Sequence, residues 1–132
     1  MITRMRTHRA GQAFLAIAAV INLVPGLGAI SARWLQEAYG VEELSPELAL
    51  LLRHRAVLFA VVGTGLLLSL FRPHLRSAAI TANAVSCGSF LLLAAHHRPL
   101  NEPLSRVAAA DAVGLVALAA GAILLSRNPH PT

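Results

Sequence analysis

Glu47 to Arg72 reads ELALLLRHRAVLFAVVGTGLLLSLFR, and from Ala56 to Phe71 it runs 16 residues without a charge. A water-soluble helix of this length keeps a polar face, and this one has none past Arg55. The natural solvent for such a segment is lipid. Just ahead of the uncharged run stands Arg53-His54-Arg55, a basic cluster at the mouth of an apolar helix.

Working outward, the same character recurs three more times. The spacing of apolar runs predicts helices over about 12–34, 46–71, 76–96 and 104–125. Each is near 20 residues, enough to cross a hydrocarbon core of about 30 Å. The connections are short, so chain neighbours should pack antiparallel. The expectation is an all-α, integral-membrane four-helix bundle, up-down-up-down, in a single domain spanning 1–132.

Composition agrees. The chain is 56% hydrophobic and 13% charged, whereas soluble domains sit near one quarter charged. Ala, Leu, Gly and Val carry the apolar content, which suits closely packed membrane helices. All 11 basic side chains are Arg, and the net charge is +5. The Arg residues form no single stripe, so a nucleic-acid surface is excluded and attraction to anionic lipid explains the charge better. The single cysteine, Cys87, excludes an internal disulfide and a Cys-rich metal site.

Met1 to Gly11 reads as a short basic arm, followed by the first apolar run. A basic start and an apolar run also describe a signal peptide, and Ala29-Ile30-Ser31 resembles a cleavage site. The length of the run and its close on Trp34 and Tyr39, which suit an interfacial belt, favour a retained helix. Ser45-Pro46-Glu47 is a helix start, with a cap, a proline in the first turn and an acid on the positive end of the dipole. Pro73 closes the second helix, His97 to Pro103 forms the last turn, and Asn128-Pro129 stops the fourth helix.

Orientation follows from loop Arg. One side holds Arg4, Arg6, Arg9, Arg72, Arg76 and Arg127, and the other Arg33, Arg53, Arg55, Arg98 and Arg106 together with five Glu. The N-terminal cluster tips the balance, and both termini of this multi-pass protein are expected on the cytoplasmic side of the cell membrane.

Few residues could carry chemistry. Pro25 should kink the first helix, and Ala18, Asn22, Gly26, Ala29 and Arg33 share one face, as a packing stripe or as the wall of a cavity. Asn83, Ser86, Cys87 and Phe90 share a face of the third helix. Asp111 is the only acid deep in an apolar run. It and Arg55 both lie roughly 10–14 Å below the outer helix ends, at 1.5 Å per residue. A charge at that depth costs about 2.5–3.5 kcal/mol unless it finds a partner. Pairing with Arg55 or Arg53, a ligand or proton site, and a neutral hydrogen-bonded Asp111 are the three readings. His54, His96 and His97 fall on the outer side without metal-binding spacing, so neither a metal nor a cofactor is assigned. No catalytic residue is assigned either.

The ligand-binding or structural polar cluster is therefore Asn22, Arg53, His54, Arg55, Asn83 and Asp111. It should line a cleft opening outward between the first, second and fourth helices, with an apolar floor near Phe59 and Leu115. Asn22 with Pro25-Gly26, and Arg53-His54-Arg55 opening the second helix, resemble the small bacterial four-helix membrane proteins of the DoxX-like kind. The resemblance implies an accessory membrane protein, in some cases linked to quinone or redox complexes, and transfers no catalytic residue. Small multidrug transporters also have four helices, but their helix 1 Glu has no counterpart here. The expected partners are the lipid bilayer, a membrane protein or a second copy, and a small apolar, lipid- or quinone-like ligand. The alternative is a small membrane enzyme or redox subunit that uses the outer Arg, His and Asp side chains.

Overall fold

The computed structural model describes residues 1–127. The expected stop at Asn128-Pro129 and the inner His130 lie outside the described residues.

The described chain is helical. It comprises α1 (Ile2–Leu23), a 3₁₀ segment (Val24–Ala29), α2 (Ala32–Tyr39), α3 (Pro46–Ser69), a 3₁₀ turn (Pro73–Leu75), α4 (Arg76–His96) and α5 (Glu102–Ser126). Four stretches are long and apolar enough to cross a membrane: Ile2–Ala29, Pro46–Ser69, Pro73–His96 and Glu102–Ser126. This is an all-α membrane bundle.

The first span differs from expectation at both ends. The basic arm is helical from Ile2, because Arg is a good helix former. Pro25 does more than kink the helix: past Leu23 the backbone tightens to 3₁₀, as a missing N–H permits. The chain then turns at Ile30, and Ser31 caps a separate helix by accepting from Trp34 N at 3.2 Å. The expected helix over 12–34 is thus one span plus the start of a short amphipathic helix. Gly40 ends α2 at φ +66°, the left-handed cap that glycine adopts without steric cost.

The other boundaries follow local chemistry. Ser45 accepts from Leu48 N at 3.2 Å to open α3. Asn101 opens α5 by accepting from Leu104 N at 2.9 Å, and its amide donates to Tyr39 O at 3.1 Å. One side chain therefore caps α5 and ties it to α2.

Packing is antiparallel throughout. A Cβ at Gly63 would meet Leu23, and one at Gly26 would meet Ala60, so α1 runs against α3. Gly11 faces Leu125, and Gly121 faces Leu15, so α1 also runs against α5. α4 packs on α3 and α5. The four long helices thus sit in the cyclic order α1, α3, α4, α5, with α1 and α4 on one diagonal and α3 and α5 on the other. Leu15, Ala18, Ala19, Leu66, Ala117, Leu118 and Leu125 form the core, towards the end that carries Ile2, the α3–α4 turn and the end of α5. Small residues let the backbones approach closely, so dispersion contacts replace the hydrophobic drive that lipid removes.

Candidate functional site

Polar side chains collect in the other half of the bundle, towards α2. Asn22 on α1 and Asn83 on α4 are buried to 1% and 0% exposure. Asn22 Nδ2 donates to Asn83 Oδ1 at 2.8 Å, to Ala18 O at 3.2 Å and, weakly, towards Cys87 Sγ at 3.9 Å. Asn83 spends both of its own N–H groups on carbonyls, Ala79 O at 2.7 Å and Val62 O at 3.2 Å. The second of these belongs to α3, so one pair of amides joins three helices. Such satisfied groups are what an apolar solvent tolerates.

Cys87 continues the chain of polar contacts. Its thiol lies within hydrogen-bonding reach of Asp111 on α5. Asp111 is 6% exposed, and its Oδ2 is enclosed with no hydrogen-bond partner. Arg55 acts on it through space. Among the described residues, however, only Arg33–Glu37 and Arg106–Glu102 form ion pairs, both exposed and within one helix. Direct pairing of Asp111 with Arg55 or Arg53 is therefore not formed. α3 and α5 lie on a diagonal, and the guanidinium has another destination.

That destination is aromatic. The Arg55 guanidinium carbon lies 4.9 Å from the ring centre of Phe59, 4.9 Å from that of Phe90 and 5.6 Å from that of Tyr39. Three helices supply the rings: α3, α4 and α2. Cation–π contacts strengthen as water leaves, so a chain with only six aromatic residues concentrates three of them on one charge. Burial pushes the Tyr39 phenol above its ordinary pKa, and the neighbouring Arg55 charge pulls it partly back.

Arg55 lines a groove of about 220 Å³ between α3 and α4, with Phe59, Val62, Ser86, Phe90 and Leu93. This groove stands one helix away from the expected cleft. It touches Arg55 and Phe59 as anticipated, but its other wall is α4, and Leu115 and Asp111 do not line it. At the level of the expected cleft, α1 packs tightly on α3, and Gly26 and Gly63 leave no room there for a side chain.

The anticipated cluster therefore divides. Asn22, Asn83, Asp111 and Arg55 gather inside the bundle. Arg53 and His54 are exposed and do not join them. His96 and His97 are exposed too, each with Nδ1 against a carbonyl of its own helix, Leu92 O at 2.8 Å and Leu93 O at 3.0 Å. Among the described residues no three His, Cys, Asp or Glu side chains converge as a metal set. The stripe Ala18, Asn22, Gly26, Ala29, Arg33 stops at Pro25, and Arg33 instead pairs with Glu37 on α2.

Sequence reasoning missed Tyr39 as a partner of Arg55 and treated it only as an interfacial residue. No spacing rule joins residues 39 and 55; the one available hint is that aromatic residues are scarce here. No protein-family model, curated protein or solved structure matches the chain. What the site can do follows from its geometry alone.

Below Asn83 the bundle closes on Leu15, Leu66 and Leu118, each no more than 2% exposed. This apolar plug separates the Asn22–Asn83 group from a second set of polar side chains at the other end, where Ser69 is fully buried and Gln12 donates to Leu70 O.

Proposed function

We propose that the chain is a small multi-pass membrane protein that holds a slender apolar ligand with an electron-rich head in the α3–α4 groove. The observation that carries this reading is Arg55: a cation with no ion-pair partner among the described residues, held by three rings, on the wall of a groove. Its Nε is enclosed and has no acceptor. A carbonyl or carboxylate head would supply one, and the tail would lie along Leu58, Val62 and Leu93. At about 220 Å³ the groove suits one ring or one acyl segment.

The same reading places the protein in the cell membrane with both termini in the cytoplasm, on the strength of the Arg bias towards that end. A relationship to the DoxX-like proteins is part of the proposal and rests on Asn22, Pro25-Gly26 and Arg53-His54-Arg55. An accessory subunit fits equally well if the groove seats a partner's side chain instead. Catalysis or redox chemistry has less support, because Arg53, His54, His96 and His97 are exposed and apart.

The test is a thermal-shift titration of detergent-purified protein with two probes, oleate and a short-tailed benzoquinone. A saturable shift by one of them that Arg55→Gln abolishes supports the ligand reading. Equal responses of wild type and variant to both probes reject it and leave the accessory-subunit reading.

A further inference from the structure

The opposite end of the bundle carries a different feature. Arg76 opens α4, and its side chain is half-buried. Its Nε and Nη2 are both enclosed without a hydrogen-bond partner. A guanidinium left so is expensive, since each donor forfeits water and gains nothing. The chain has no acidic side chain to offer it. Glu37, Glu42, Glu43, Glu47 and Glu102 all belong to the far end, and Asp111 lies beside Cys87 in the half of the bundle nearer to it. Arg4, Arg6, Arg9, Arg72 and Arg127 share Arg76's end and deepen its positive potential.

Arg76 also lines a groove of about 410 Å³ between α4 and α5, with Ser77, Ile80, Thr81, Ala122 and Ser126. Its composition is graded. The guanidinium and the Ser77 and Ser126 hydroxyls stand at the helix ends, while Ile80, Thr81 and Ala122 continue towards the middle of the span. A cation and hydroxyls above an apolar trough match an amphiphile with an anionic head.

We infer that this groove seats an anionic phospholipid, its phosphate on the Arg76 guanidinium and one acyl chain along α4 and α5. In the bound state the guanidinium turns its enclosed edge to the phosphate, where its fork makes two charge-assisted hydrogen bonds. The Ser126 hydroxyl donates to Ile123 O at 2.9 Å, so its proton is already spent and it offers the headgroup no direct donor. The surrounding arginines raise the local concentration of anionic headgroups without fixing one. This site is independent of Arg55, which lies at the other end of α3.

Native mass spectrometry of the detergent-purified protein tests it, with phosphatidylglycerol, phosphatidylcholine and inorganic phosphate as separate probes. Wild type should retain one phosphatidylglycerol at least about fivefold more strongly than phosphatidylcholine. Arg76→Gln should lose that preference, and Arg72→Gln, an exposed arginine at the same end, should keep it. Thr81→Trp fills the groove, leaves Arg76 in place and should also release the lipid, which guards against misfolding of the first variant. Equal loss in Arg72→Gln and Arg76→Gln overturns the site in favour of diffuse attraction. Displacement of the lipid by inorganic phosphate overturns it in favour of a free-anion site. Equal retention by wild type and Thr81→Trp removes the acyl trough from the proposal and overturns it as a lipid site.

Discussion

Asn22 Nδ2 donates to Asn83 Oδ1 at 2.8 Å, joining α1 to α4 across a diagonal of the bundle. Because Asn83 also donates to Val62 O, the amide pair fixes the register of α3 as well. Replacing one amide strands the other in an apolar interior. Asn22→Ala and Asn83→Ala should each destabilise the bundle by about 1–2 kcal/mol, and the double variant by less than the sum. Polar couplings between membrane helices average about 0.6 kcal/mol and reach about 1.7. Denaturant-induced unfolding in micelles gives the double-mutant cycle, and strictly additive losses would argue against the bond.

Arg55 contacts rings and forms no ion pair with a carboxylate among the described residues. Its guanidinium is 4.9 Å from the Phe90 ring centre, whereas Asp111 forms no ion pair with it. A desolvated cation–π contact is worth roughly 1–2 kcal/mol. The cycle of Phe90→Leu with Arg55→Gln should therefore show a coupling near 1 kcal/mol. The cycle of Asp111→Asn with Arg55→Gln should show a smaller one. If the carboxylate cycle proves the larger, the aromatic account of Arg55 is wrong.

Tyr39 is the only tyrosine in the chain, so phenolate absorbance reports it alone. Burial, the largest influence, raises its pKa above the ordinary 10.0, and Arg55 opposes that. Arg55→Gln should accordingly raise it further. The linkage has a definite sign. The native state holds the phenolic proton more tightly than the unfolded chain, so the associated stability is intact below pH 10 and declines as pH rises through the native value. A spectrophotometric titration in micelles checks both statements. A Tyr39 midpoint at or below the ordinary value contradicts them, as does a fall on removing Arg55.

Much of the fold was legible because lipid imposes one rule on every span: the backbone must satisfy itself. Hence the uncharged run after Arg55, the Ser45-Pro46 start and the Pro73 break mark α3 and α4 without further information. The first span was harder. Arg4, Arg6 and Arg9 look like a solvated arm, yet nothing in them opposes helix, and Pro25 gives no measure of how long the 3₁₀ segment after it will be. The site was legible as a set of costly residues and not as a set of contacts. Depth singled out Asp111 and Arg55, and shared helix faces singled out Asn22 and Asn83. Which helices share a diagonal depends on packing between small residues far apart in sequence, and that decided that Arg55 meets Phe59, Phe90 and Tyr39 rather than Asp111.

The close packing of α1 on α5 can be tested at its glycines. A Cβ at Gly121 would stand 2.7 Å from Leu15 Cδ2 and 3.1 Å from Gly11 O, so a neighbouring backbone blocks relief. Gly65 and Gly88 meet nothing within 4 Å. Gly121→Ala should force α1 from α5 and cost about 1–3 kcal/mol, the usual penalty of overpacking. Gly65→Ala and Gly88→Ala should be neutral or stabilise by up to about 1 kcal/mol, through the better helix propensity of alanine. Thermal unfolding of the three variants in micelles separates the outcomes. If Gly121→Ala is as stable as Gly65→Ala, α1 and α5 are not in close contact at Gly121.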